Sequence, residues 1–170
     1  MDNVILIGMP GSGKSSVGVI LAKMLGMGFC DTDVLLQQRT GRKLQEIIDT
    51  EGVEQFLNYE QQTILSLDCR HDVIATGGSV VLRERAMTHL KVLGKLVYLS
   101  ASLEVLQGRI NNTQTRGIAG IKGNTLQDIY KQRVPLYEKY ADLIICNEEA
   151  CSDMLLERIA DQITKLEVRQ

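Results

Sequence analysis

Short apolar runs alternate with amphipathic stretches along this chain, and the alternation predicts most of its elements. Residues 4–7 (VILI) are a strand candidate, ended by the glycine-rich MPGSG. Residues 15–25 carry Val17, Ile20, Leu21, Met24 and Leu25 at helical spacing, which predicts a helix burying that stripe. Gly26 closes it, as glycine commonly does at a helix end. MGFCDTD, residues 27–33, is a short strand stopping at a polar turn. Residues 34–38 and 44–50 are helical with TGR between them, Gly52 breaks the run, and a longer helix covers 53–67. There Val53, Phe56, Leu57, Ile64 and Leu65 share one apolar stripe.

The second half continues the alternation. DVIAT (72–76) is a strand ended by GGS, 83–93 a helix, KLVYLS (95–100) a strand and 103–110 a helix. Residues 111–124, NNTQTRGIAGIKGN, are polar and glycine-rich without a period, which predicts a loop. Residues 125–140 are helical around a break at Pro135, ADLIIC (141–146) is the last strand, and 152–167 a closing helix capped by Ser152. Five apolar strands separated by helices predict an α/β fold, a parallel sheet covered on both faces. In such sheets ligands bind at the carboxyl ends of the strands.

Composition narrows the class. The chain has 170 residues, 44% hydrophobic and 24% charged, which fits one globular domain over 1–170. No linker or repeat suggests a boundary. The net charge of −2, with both signs spread along the chain, argues against a nucleic-acid or anionic-membrane partner. No apolar run approaches membrane-spanning length, and no basic segment precedes the first strand as in a secretory signal. Cys30, Cys69, Cys146 and Cys151 form no CxxC pair, and only two histidines exist, so a zinc site or disulfide framework is not expected. Reduced thiols and a cytoplasmic location are the expectation.

The chemistry begins at Gly8, where GMPGSGKS matches GxxxxGK[ST] between a strand and a helix. The glycines let backbone N–H groups curl around phosphate oxygens. Lys14 supplies a cation for the β and γ phosphates, the Ser15 hydroxyl a ligand for Mg²⁺, and the helix its positive end. Gly11, Ser12, Gly13, Lys14, Ser15 and Ser16 are therefore candidates for contacting ATP. Asp31 and Asp33, in CDTD, suit either catalysis or plain turn and helix-cap chemistry. In catalysis one carboxylate orients metal-bound water and the other takes a substrate hydroxyl. The GGS turn at Gly77, Gly78 and Ser79 lets backbone approach a ligand. Arg116, in the polar loop, and Arg133, before Pro135, are candidates for charge stabilisation, and Arg109 for stacking on adenine.

In order and spacing these pieces resemble the shikimate kinase family: GMPGSGKS, DTD, RTGRKLQEI, EGxxxFxxxE, ATGG, a loop arginine and RxPLYxxxAD. The likeness covers essentially the whole chain and separates it from adenylate and gluconate kinases. It implies a P-loop α/β/α sandwich with a five-stranded parallel sheet, a lid at about 111–124 and a helical substrate-binding segment at about 33–62. It implies transfer of the γ-phosphate of ATP to a hydroxyl of shikimate, by a monomer. Lys14 and Ser15 would bind phosphates and Mg²⁺, and Asp31 would organise the metal water. Asp33 would hold the accepting hydroxyl, Arg116 would serve the lid, Arg133 would contact the substrate carboxylate, and Gly77 and Gly78 would line the substrate side.

The chain departs from the family at three places. Leu57 stands where FRxxE has a carboxylate-gripping arginine, Ser79 where GGG has its third glycine, and Gly117 where the lid has proline after Arg116. Leucine has no donor, and losing one charged hydrogen-bonding partner costs about 1.5–3 kcal/mol. Arg42 or Lys43 could reach the pocket instead. Glu60, left without the arginine, could attract an ammonium group, so an amino-alcohol such as homoserine is an alternative acceptor. A non-catalytic nucleotide binder is a third reading.

Overall fold

β1 (Asn3–Ile7) is buried along its whole length and lies at the centre of the sheet, as an uninterrupted apolar run requires. This computed structural model describes residues 3–111, 124–148 and 152–168. The order is β1, α1 (Lys14–Leu25), β2 (Gly28–Asp31), α2 (Thr32–Thr40), α3 (Leu44–Leu65), β3 (Asp72–Ala75) and α4 (Glu84–Leu93). There follow β4 (Gly94–Ser100), α5 (Leu103–Asn111), α6 (Leu126–Tyr140), β5 (Leu143–Cys146) and α7 (Asp153–Val168). All strand pairs are parallel, in the order β2-β3-β1-β4-β5.

Side chains alternate across the sheet, which divides the core in two. Ile5, Ile7, Ile74, Leu96 and Tyr98 pack on one face against α4, α6 and the end of α3. Val4, Leu6, Val73, Val97, Leu99 and Ile145 pack on the other against α1 and α7. A third cluster, Leu36, Ile47, Ile48, Phe56 and Leu57, holds α2 to α3. The strand order sets the carboxyl ends of β2, β3 and β1 side by side. These carry CDTD, ATGGS and the phosphate loop, so motifs far apart in sequence share one edge.

Two local expectations are corrected, at α1 and at α6. Helix α1 buries Val17, Gly18, Leu21 and Ala22, while Ile20 and Met24 are 41% and 48% exposed. Size explains this: a Cβ on Gly18 would meet the Phe29 ring at 2.6 Å, so the small residues take the side of closest approach. The break expected at Gly52 is present: with φ 84° and ψ 170° it is non-helical, and α3 is two helices meeting at a kink there. Helix α6, by contrast, runs through Pro135 without the expected break. Its buried Ile129, Arg133 and Tyr137 recur every fourth residue and anchor both sides of the proline. Tyr137 stacks on Tyr98 at 5.1 Å between ring centroids. The start of α6 is a capping box between Thr125 and Asp128, and Ser152 caps α7 through the N–H of Leu155.

Candidate active site

The phosphate loop ends at Gly13, whose φ of 93° is left-handed and readily adopted only by glycine. A Cβ there would also lie 2.8 Å from Asn147 Nδ2. The N-terminus of α1 opens on a cavity of about 510 Å³, with Gly11, Gly13, Lys14 and Ser15 in its wall. The buried Lys14 donates from Nζ to the carbonyls of Gly8 and Met9, both at 2.9 Å. Ser12 is buried within the loop, and Ser16 is exposed on the first turn of α1.

The loop is braced from the far edge of the sheet. Asn147, just past β5, is buried and donates from Nδ2 to the Ser12 carbonyl at 2.7 Å. Arg109 on α5 donates from Nη2 to the carbonyls of Asn147 and Glu148 at 3.0 and 3.1 Å. It thus tightens the segment that braces the loop. Asn147 carries no motif and is invisible to sequence reading.

Asp31 takes the helix-cap reading of its motif and also reaches the cavity. It caps α2, its Oδ1 accepting from the N–H of Asp33 at 3.0 Å and of Val34 at 3.4 Å, and it lines the cavity. Asp33, on the first turn of α2, lines the same cavity. Ser15 and Asp31 therefore offer hard oxygen donors in one space, which fits Mg²⁺ held by few protein ligands. The glycine cradle at a helix N-terminus fits nucleotide phosphates.

The second glycine turn separates two carboxyl groups. A Cβ on Gly77 would lie 2.2 Å from Glu60 Oε1 and 2.7 Å from Asp33 Oδ1, so only glycine admits both. The Gly77 N–H donates to Thr32 Oγ1 at 3.1 Å, and the Tyr137 hydroxyl donates to the Gly78 carbonyl. Gly78 lines the cavity, and Ser79 turns inward, its hydroxyl donating to Glu60 Oε1 at 3.0 Å. Burial, and next the Asp33 charge, push the Glu60 carboxyl up to about 8 against the opposing pull of Ser79, Arg133 and Lys14. Arg133 is itself buried.

Two expectations about this wall are corrected. Leu57 is 7% exposed and packs with Leu36, Ile47, Ile48 and Phe56, following its apolar stripe into the core rather than the cavity. Leu57→Ala should lower unfolding free energy by about 2–4 kcal/mol, read as a lower denaturant midpoint at unchanged slope. Glu60 is 2% exposed behind Gly77 and faces Ser79, so it is not an open carboxylate ready for an ammonium group. Lys43 lines the cavity, together with Gln37 and Thr76, which sequence reading passed over. Arg42 instead pairs with Glu51, which also accepts from the Tyr59 hydroxyl at 3.1 Å. Arg116 and Gly117 lie outside the described residues.

Comparison with known proteins agrees with this geometry. A family model described as shikimate kinase matches residues 10–165. A shikimate kinase of Thermodesulfovibrio yellowstonii is 36% identical over 169 residues, spanning 98% of this chain and 97% of its own. One of Pseudomonas fluorescens is 38% identical over 173 residues, spanning 99% and 100%. The structure of shikimate kinase from Acinetobacter baumannii in complex with shikimate superposes with a TM-score of 0.90 at 29% identity. It covers 97% of this chain and 94% of the other.

Proposed function

Since the chain belongs to the shikimate kinase family, we propose that it transfers the γ-phosphoryl group of ATP to a hydroxyl of shikimate, giving 3-phosphoshikimate. The observation that carries this is the single cavity in which Lys14 and Ser15 face Asp33 and Gly78. It brings a phosphate cradle and a carboxylate for a hydroxyl into one space.

Bound MgATP supplies the electrophilic phosphoryl group and neutralises part of its charge. The chain's own work is positioning. Gly11, Ser12, Gly13 and the first turn of α1 through Ser16 hold the phosphates, with Arg109 at the base side. Lys14 exchanges the carbonyls of Gly8 and Met9 for phosphate oxygens. Ser15 and Asp31 would hold Mg²⁺ through hard oxygen donors. Asp33 accepts the proton of the attacking hydroxyl, with α2 held in place by the Asp31 cap. Gly77 and Gly78 let the acceptor lie against backbone, and Arg133 and the Arg116 segment supply positive charge to the acceptor and the transferring group. Residues about 33–62, α2 and α3, are the acceptor-binding segment, and about 111–124 the lid. The family resemblance is the support for a monomer. Free Cys30, Cys69 and Cys146 suit a reducing cytoplasm that also supplies ATP.

ADP release with MgATP and a panel of acceptors tests this. Shikimate is expected to support turnover while homoserine, whose ammonium finds no open carboxylate, does not. Turnover with homoserine and none with shikimate would overturn the acceptor. ATP binding without transfer to any acceptor would overturn catalysis.

A further inference from the structure

The departure at position 79 acts on Glu60. This carboxyl is buried, and one oxygen accepts from the Ser79 hydroxyl at 3.0 Å. Its other oxygen, Oε2, is buried with no hydrogen-bond partner. A charged carboxylate so placed lacks the donors that offset its lost hydration. Asp33, across Gly77, adds a like charge, since both carboxyls crowd the same point. The groups acting on Glu60 are Asp33 from α2, Lys14 from α1, Arg133 from α6 and Ser79 from the glycine turn. Tyr137, also on α6, interacts with Arg133 and Glu60.

We propose that Ser79 and Glu60 act as one hydrogen-bonded specificity element. In it Glu60, kept as a neutral acid behind Gly77, admits an acceptor bearing an anionic group and gives no hold to an ammonium. With Glu60 neutral, the local field is set by Arg133 and Lys14 against Asp33 alone. Ionising Glu60 adds a second negative charge beside the acceptor and repels a carboxylate. The inference rests on the acceptor being shikimate, a carboxylate. It goes further in assigning the discrimination to a proton on Glu60.

The test measures kcat/KM for shikimate at saturating MgATP from pH 6 to 9.5 in the wild type, Glu60→Gln and Ser79→Ala. In the wild type kcat/KM should fall about tenfold per pH unit above roughly 8, through KM rather than kcat. Glu60→Gln, which cannot ionise, should lack that fall. Ser79→Ala should move the fall to higher pH, because the hydroxyl donor favours the ionised form. A fall of the same size and position in all three proteins would overturn the proposal, and so would no fall in the wild type. If Glu60→Gln does not fold, the Ser79→Ala shift decides alone.

A second readout does not need turnover. The folded enzyme keeps a proton on Glu60 up to about pH 8 that the unfolded chain releases near its ordinary value of 4.5. The stability associated with it is full below 4.5 and declines as pH rises to about 8. The Tm of the wild type should therefore drop relative to Glu60→Gln, or rise less, across that window. A difference independent of pH would sink the neutral acid even if shikimate is the substrate. The drop with no shikimate turnover would keep the ionisation and overturn the acceptor.

Discussion

Lys14→Ala is expected to lower kcat by on the order of 10³-fold, or about 4 kcal/mol of transition-state stabilisation. Lys14 is the buried cation of the phosphate loop, already held over it by the carbonyls of Gly8 and Met9. Alanine removes the charge that follows the transferring phosphoryl group, together with its two hydrogen bonds to the loop carbonyls. ADP release with shikimate measures the effect, and an unchanged far-UV spectrum verifies that the variant is folded. A loss smaller than about tenfold would show that other cations carry the transition-state charge.

The second large effect belongs to Asp33. Asp33→Asn keeps the shape but removes the anion that accepts the hydroxyl proton, and kcat should fall by about 10²- to 10⁴-fold. The KM for ATP should stay within about twofold, since the nucleotide contacts lie on the phosphate loop and not on α2. The substitution also removes the like charge facing Glu60. Its carboxyl then ionises more readily, and the residual activity with shikimate should begin to fall at a lower pH than in the wild type. Asp33→Asn activity close to wild type would mean that the hydroxyl gives up its proton elsewhere.

Much of this was legible in the sequence because it is local. The strand runs, the GxxxxGK[ST] loop and the CDTD turn each carry their signal within a few residues. The elements they predict stand within one or two residues of where they fall. What the sequence hid depends on distance or size. Periodicity cannot tell that Gly18 and Ala22, rather than Ile20 and Met24, face the sheet, because close approach outweighs hydrophobicity there. Helix-breaking rules overrate Pro135, since the burial of Arg133 and Tyr137 acts from outside the helix. Leu57 and Ser79 look like two separate losses when read one at a time. In the structure Leu57 makes an apolar packing contact and Ser79 a hydroxyl–carboxyl pair with Glu60. Gln37 lines the cavity without any motif.

The bond from Asn147 to the Ser12 carbonyl spans 135 positions of sequence. On the ribosome the phosphate loop emerges well before the residue that braces it. At synthesis rates of about 5–20 residues per second the loop waits on the order of ten seconds for its partner. Nascent chains with the nucleotide motif complete but β5 missing have no brace for the loop. Competence to hold ATP therefore arises together with closure of the sheet, and stalled or truncated products are left without a finished nucleotide site.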